Sequence, residues 1–191
     1  MTLFDPAAIG INIAAFQFMN SIASPSLNTI MGYLAESFYI VLPLIAIFLY
    51  LKKDMNFYSY MIIAVALFVI SEVLKYIFAE PRPCSLPSLS WINQVGCESS
   101  YSFPSNHATV LTGLTFFVGK YKYIRVLYVI WLILVLFGRV YLGAHYLTDV
   151  IAGVIISLII AYIAYRYREK ANRLLNSIVR RVVPSLALKE V

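Results

Sequence analysis

The chain has 191 residues, of which 61% are hydrophobic and only 13% charged, with a mean hydropathy of +0.81 and a formal net charge of +6. Such a composition cannot cover a soluble domain with polar groups, so a water-soluble globular protein is excluded. Nucleic-acid binding is excluded as well, because the Lys and Arg residues fall at the ends of apolar runs rather than among aromatics on one face.

The expected fold is all-α, a polytopic transmembrane bundle of about five spanning helices plus an N-terminal helix. No cleavable signal peptide is expected, since the first charge is Asp5 and no basic segment precedes the apolar run. Residues 1–28 hold an apolar run from Ala7 to Met19 that is short for a span; it is expected to be an interfacial or re-entrant helix, with a short spanning helix as the alternative. A transmembrane domain is expected over 29–168. Its first span runs from Thr29 to Leu51 and stops at Lys52, Lys53 and Asp54; its second runs from Phe57 to Phe78 and stops before Pro81 and Pro83. A polar connection from Ala79 to Pro104 follows, and a loop of that length in a compact protein is usually functional.

The third span, Ser105 to Val118, covers only about 21 Å of a hydrocarbon core of about 30 Å, so its N-terminus is expected to lie sunk in the membrane. The fourth runs from Tyr123 to Tyr141 and the fifth from Tyr146 to Tyr165, before a basic tail over 169–191. With that tail cytoplasmic, every Lys and Arg falls inside except Lys75, Arg82 and Arg139. Three cations on the wrong side of the membrane require a local reason.

Those three belong to three segments at the outer ends of spans: KYIFAEPRP from Lys75, YSFPSNH from Tyr101 to His107, and GRVYLGAHYLTD from Gly138 to Asp149. A bundle can bring them together. Lys75, Arg82 and Arg139, with Ser105 and the backbone amides of Asn106 and His107 at a helix N-terminus, form what a phosphoryl group requires, because its charge is spread over three oxygens. His145 and Asp149 are four residues apart, so one helical turn puts them on one face, where a carboxylate can hold an imidazole in one tautomer. Taken singly, each residue has a plainer reading: Lys75 as a lysine that snorkels or pairs with Glu72, Arg82 as a rigid-turn surface residue, Ser105 as a helix cap, His107 as a core or interfacial histidine. Their joint occurrence favours a site.

Lys75-x6-Arg82-Pro83, Pro104-Ser105-Asn106-His107 and Gly138-Arg139-x5-His145-x3-Asp149 together resemble the signature of the type 2 phosphatidic acid phosphatase superfamily. That family includes membrane lipid phosphatases, polyprenyl diphosphate phosphatases and soluble vanadate-dependent haloperoxidases. The resemblance implies that His145 attacks phosphorus and forms a phosphohistidine, that Asp149 orients its ring, and that His107 protonates the leaving oxygen and then activates water. Lys75, Arg82, Ser105, Asn106 and Arg139 would bind the phosphoryl oxygens, with no metal and no cofactor. Asn106 stands where the family usually has glycine, and Gly138 where it usually has serine.

A lipid-borne phosphate fits the sunken helix, and a polyprenyl diphosphate, hydrolysed to recycle a glycan carrier lipid, is the substrate the resemblance favours. Phosphatidate and phosphatidylglycerophosphate are alternatives; a non-catalytic lipid-phosphate binder or transporter is the competing class. The expected setting is the cell membrane, with the site facing outward and the C-terminus cytoplasmic; the oligomeric state is left open. Glu36 and Glu72 are membrane-embedded acids, at least one of which is expected to order a site cation, most simply Glu72 with Lys75. Cys84 and Cys97 share the outer loop, where a disulfide is one of two open possibilities.

Overall fold

The computed structural model describes residues 6–89 and 97–188. Its helices are α1 (Gly10–Ser21), α2 (Pro25–Glu36), α3 (Phe38–Leu51), α4 (Asn56–Phe78), α5 (Asn106–Leu114), α6 (Lys122–Tyr141) and α7 (Leu147–Val182). Among the described residues, four helical stretches are long and apolar enough to cross a membrane: Pro25–Leu51, Asn56–Phe78, Lys122–Tyr141 and Leu147–Val182. Their outward faces carry large apolar side chains such as Ile47, Val65, Ile133 and Ile159, as a helix in lipid requires. The protein is therefore a multi-pass membrane protein built as a helical bundle.

The elements differ from the sequence expectation in three places. The first span starts four residues early, where Ser24 caps the helix, accepting from Leu27 N, and Pro25 takes its first turn. It also breaks at Ser37, whose hydroxyl donates to Leu34 O at 2.6 Å and accepts from Trp131 Nε1 at 2.8 Å. A serine that hydrogen-bonds back onto its own helix competes with the helical ladder and bends it. The basic tail is not separate, because α7 runs unbroken to Val182. Its 36 residues reach about 54 Å, far more than a bilayer core needs. Polar contacts hold its far end: Tyr58 donates to Asn176 Oδ1 at 2.8 Å, Ser59 Oγ to Asn172 Oδ1 at 2.5 Å, and Asn176 Nδ2 to Leu188 O at 2.9 Å.

Third, α5 is shorter than expected, with nine residues. It is a core helix wrapped by its neighbours, with Ala108 to Leu114 all buried against α4 and α7. Glycines permit this approach. A Cβ on Gly153 of α7 would lie 2.8 Å from Ala108 Cβ and 3.1 Å from Ser105 O, and one on Gly113 would run into Leu67 Cδ1. The N-terminal helix α1 packs on α6 and α7 and is tied to the start of α7 by the buried Asn12, which donates to Thr148 Oγ1 at 3.0 Å and accepts from Thr148 N at 3.1 Å.

Candidate active site

The C-terminal ends of α4 and α6 and the N-terminal ends of α5 and α7 meet at one end of the bundle. Every expected phosphate-binding and catalytic residue lies there. Lys75, Arg82, Arg139, His145 and Asp149 are all between 0 and 4% exposed. Three cations that deeply buried require anionic partners.

Arg82 follows the end of α4, where Ala79 takes a left-handed backbone (φ 46°). All five of its N–H groups are engaged. Nε donates to Ser100 O at 2.8 Å, and Nη2 to Ser100 Oγ at 2.8 Å and Glu98 Oε2 at 2.7 Å. Nη1 donates to Ala144 O at 2.8 Å and faces His145 Nε2 at 3.1 Å. Arg139, in the last turn of α6, donates to the other oxygen of Glu98. One carboxylate thus bridges the two guanidinium groups expected to bind phosphate. Burial pulls the Arg82 guanidinium down and the Glu98 carboxylate pulls it back; burial would raise the Glu98 carboxyl, but Arg139 and Arg82 outweigh it and hold that carboxyl below its usual range.

His145 lies in the turn between α6 and α7, which Gly143 makes possible with its positive φ of 65°. An arginine N–H facing Nε2 requires a lone pair there, so the ring proton sits on Nδ1. Nδ1 points to Asp149 Oδ2 at 3.5 Å and to Ser102 Oγ at 3.4 Å. Asp149 is itself held, accepting from Ser102 Oγ at 2.5 Å and from Tyr146 N at 2.9 Å. Burial first, then Arg139, Arg82 and Lys75, push the His145 imidazole well below the ordinary histidine value of 6.5.

Lys75 is ion-paired with Glu72 at 3.6 Å, and Glu72 Oε1 also accepts from Asn106 Nδ2 at 2.6 Å. Asn106 Oδ1 takes a hydrogen bond from Ser71. The asparagine side chain thus fastens the start of α5 to α4. Ser105 is buried as the N-cap of α5, and its backbone N–H donates to Asp149 O at 3.3 Å. His107 packs its ring edge-on to Phe38, centroids 4.5 Å apart, and hydrogen-bonds the Ala35 backbone, while its Nε2 has no partner among the described residues. Gly138 packs against Met31 of α2, where a Cβ would stand 3.4 Å from its Sδ.

Lys75, Glu98, Asn106, His107 and His145 line one cavity of about 330 Å³, together with Glu36 and apolar residues of α3 and α4. Glu36 and Glu98 also line a second cavity, of about 380 Å³, on the side of α2 and α6. Glu36 makes no ion pair with a described cation. Cys84 and Cys97 are disulfide-bonded, with Cα atoms 5.7 Å apart, and Cys84 N donates to Gly143 O at 3.0 Å. The bridge fixes Glu98 to the turn that carries His145. Sequence reasoning missed Glu80, Glu98 and Ser102. Glu80 and Ser102 stand inside two of the singled-out segments and Glu98 beside a cysteine, but no spacing rule marks them.

The PAP2 superfamily model matches residues 55–173. The chain is 29% identical to the undecaprenyl-diphosphatase of Sulfolobus acidocaldarius over 161 residues, covering 82% of this chain and 78% of that protein. It is 33% identical to the phosphatidylglycerophosphatase B of Bacillus subtilis over 117 residues, 55% of this chain and 54% of that one. The crystal structure of Aquifex aeolicus LpxE superposes with a TM-score of 0.72 at 25% identity, covering 87% of this chain and all of that one. A family match over more than half the chain, on a bundle whose ends bring the signature residues together, means that this chain belongs to the PAP2 superfamily and is a membrane lipid phosphatase.

Proposed function

We propose that the protein hydrolyses the terminal phosphate of a polyprenyl diphosphate through a phosphohistidine on His145. The observation that carries this reading is the environment of His145: Nδ1 faces Asp149, while Nε2 lies 3.1 Å from Arg82 Nη1, beside a cavity shared with Lys75, Asn106 and His107. In the first step Nε2 attacks the terminal phosphorus, the bond to the bridging oxygen breaks, and His107 gives that oxygen a proton. In the second step His107 takes a proton from water, the water oxygen bonds to phosphorus, and the P–N bond breaks. Lys75, Arg82, Arg139 and the amides at the start of α5 stabilise the charge on the transferred group. A phosphoryl group would take over the guanidinium N–H donors that Glu98 occupies.

The preference for a single long chain is supported by the groove below the site. The catalytic cavity shares Leu42 and Ala64 with an apolar groove of about 600 Å³ that continues between α3 and α4 past Tyr50 and Phe57. From Lys75 to Phe57 along α4 is roughly 27 Å, close to the thickness of a hydrocarbon core. A lipid tail lying there would leave its head group at His145. The identity shared with an undecaprenyl-diphosphatase over most of both chains supports the same substrate class. The basic ends of the helices, Lys52, Lys53 and Lys120 to Arg125, are opposite the site, which supports an outward-facing site and a cytoplasmic C-terminus.

The test is phosphate release by the purified protein from a polyprenyl diphosphate, phosphatidate and phosphatidylglycerophosphate, with chelator present and His145→Ala as control. Chelator-resistant release, fastest on the diphosphate and lost in the variant, is expected. Faster release from either glycerolipid reassigns the substrate. Retained lipid-phosphate binding without release from any of them marks a binder or transporter.

A further inference from the structure

The two oxygens of Asp149 have different surroundings. Oδ2 takes the hydrogen bonds of Ser102 and the Tyr146 amide and faces His145. Oδ1 is buried and receives no N–H or O–H donor from the other described groups. Glu80, two residues past the end of α4, has an orphan of the same kind in Oε1, and its carboxyl lies against that of Asp149. Two carboxylates in contact, each with a buried oxygen, cannot both be ionised without strong repulsion, and a single proton between them removes it.

We propose that Glu80 is a protonated carboxylic acid whose O–H donates to Asp149, and that it thereby acts as a positioning residue for His145. Its backbone fixes it there, because Ser102 N donates to Glu80 O at 2.8 Å and so ties the Glu80 turn to the residue that contacts both Asp149 and His145. The charged and titratable groups around the pair are His145 from the α6–α7 turn and Arg82 from the turn after α4. Burial first, and then the charge of Asp149, push the Glu80 carboxyl up to about 9, so it keeps its proton at neutral pH. With Oδ1 taken by Glu80, Asp149 keeps its charge and aims Oδ2 at Nδ1–H of His145, leaving Nε2 free to attack. Once Glu80 loses its proton the two carboxylates repel and Oδ2 leaves its place.

This deepens the phosphohistidine reading and rests on His145 as nucleophile. The experiment compares pH profiles of kcat for wild type, Glu80→Ala and Glu80→Gln, with the infrared carbonyl band of a protonated carboxyl recorded at pH 7. Alanine is expected to cost about tenfold in kcat and glutamine, whose amide can donate to Asp149, to recover most of that loss. The glutamine variant should also lose the alkaline fall near pH 9 that wild type shows. The infrared band should be present in wild type and absent from Glu80→Gln. A wild type without the band, a glutamine variant as slow as alanine, or an alkaline fall unchanged in Glu80→Gln would each overturn the proposal. Activity that survives His145→Ala sinks the nucleophile assignment instead, and the infrared band separates the two failures.

Discussion

Arg82 donates to the Glu98 carboxylate at 2.7 Å through the guanidinium edge proposed above to take a phosphoryl oxygen. Glu98 also holds Arg139, so one carboxylate occupies both guanidinium groups. On the proposed mechanism substrate displaces Glu98, which costs binding energy. Glu98→Gln weakens that competition and is expected to lower KM by about threefold to tenfold, and to strengthen inhibition by inorganic phosphate to match. Steady-state kinetics check this; a raised KM would instead mean that Glu98 aligns the two arginines for substrate.

The acid side of the pH profile follows from His145. Its imidazole is held well below 6.5 by burial and by Arg139, Arg82 and Lys75, so the neutral ring, which is the form the proposed attack needs, persists as pH falls through the ordinary histidine range. The acid fall of kcat/KM is therefore expected below pH 6.5. Replacing Lys75 with Met removes one of the positive charges that hold the His145 imidazole down and should move that fall upward. A wild-type profile that breaks at the ordinary value would contradict the burial of the ring.

The three signature segments were legible from the chain because each pairs a wrong-sided cation with a helix end, and the fold brings all three to one end of the bundle. Glu72 with Lys75 was legible for a local reason, three residues on one helix. Glu80 and Ser102 were not, because their meaning depends on Asp149, which is far away in sequence. The length of α7 was hidden by composition: its second half is basic and reads as a tail, yet Asn172 and Asn176 find buried partners in Tyr58 and Ser59 that no periodicity announces. The break at Ser37 was equally hidden, since a single serine in an apolar run carries no breaker signal.

The Cys84–Cys97 bridge closes a short loop with a sequence separation of 13, and closure of a loop of that size is worth about 3 kcal/mol. Reduction should add mass on alkylation at both cysteines, lower Tm, and lower KM, because Glu98, directly after Cys97, is then freer to leave the Arg82 guanidinium that it occupies. Intact mass and a thermal melt with and without reductant are sufficient. A KM unmoved by complete reduction would show that the Arg82 contacts hold the loop without the bridge.

The position of α5 rests on Gly153. A methyl group there meets Ala108 Cβ at 2.8 Å, Thr109 Oγ1 at 3.0 Å and Ser105 O at 3.1 Å, and two of these neighbours are a short side chain and a backbone carbonyl that cannot swing aside. Gly153→Ala must then push the first turn of α5 away from α7, at a cost of about 1–3 kcal/mol. That turn carries Asn106 and His107, and Ser105 N reaches the backbone of Asp149, so the displacement enlarges the gap between the two histidines. A lower Tm is expected with a fall in kcat larger than any change in KM. Gly32 of α2 supplies the control, because a Cβ there meets nothing within 4 Å and Gly32→Ala should leave Tm unchanged or raise it by the ordinary helix preference for alanine. Equal melting behaviour of the two variants would mean that the α5–α7 contact gives way without strain, and that the shortness of α5 has another cause than its seat on Gly153.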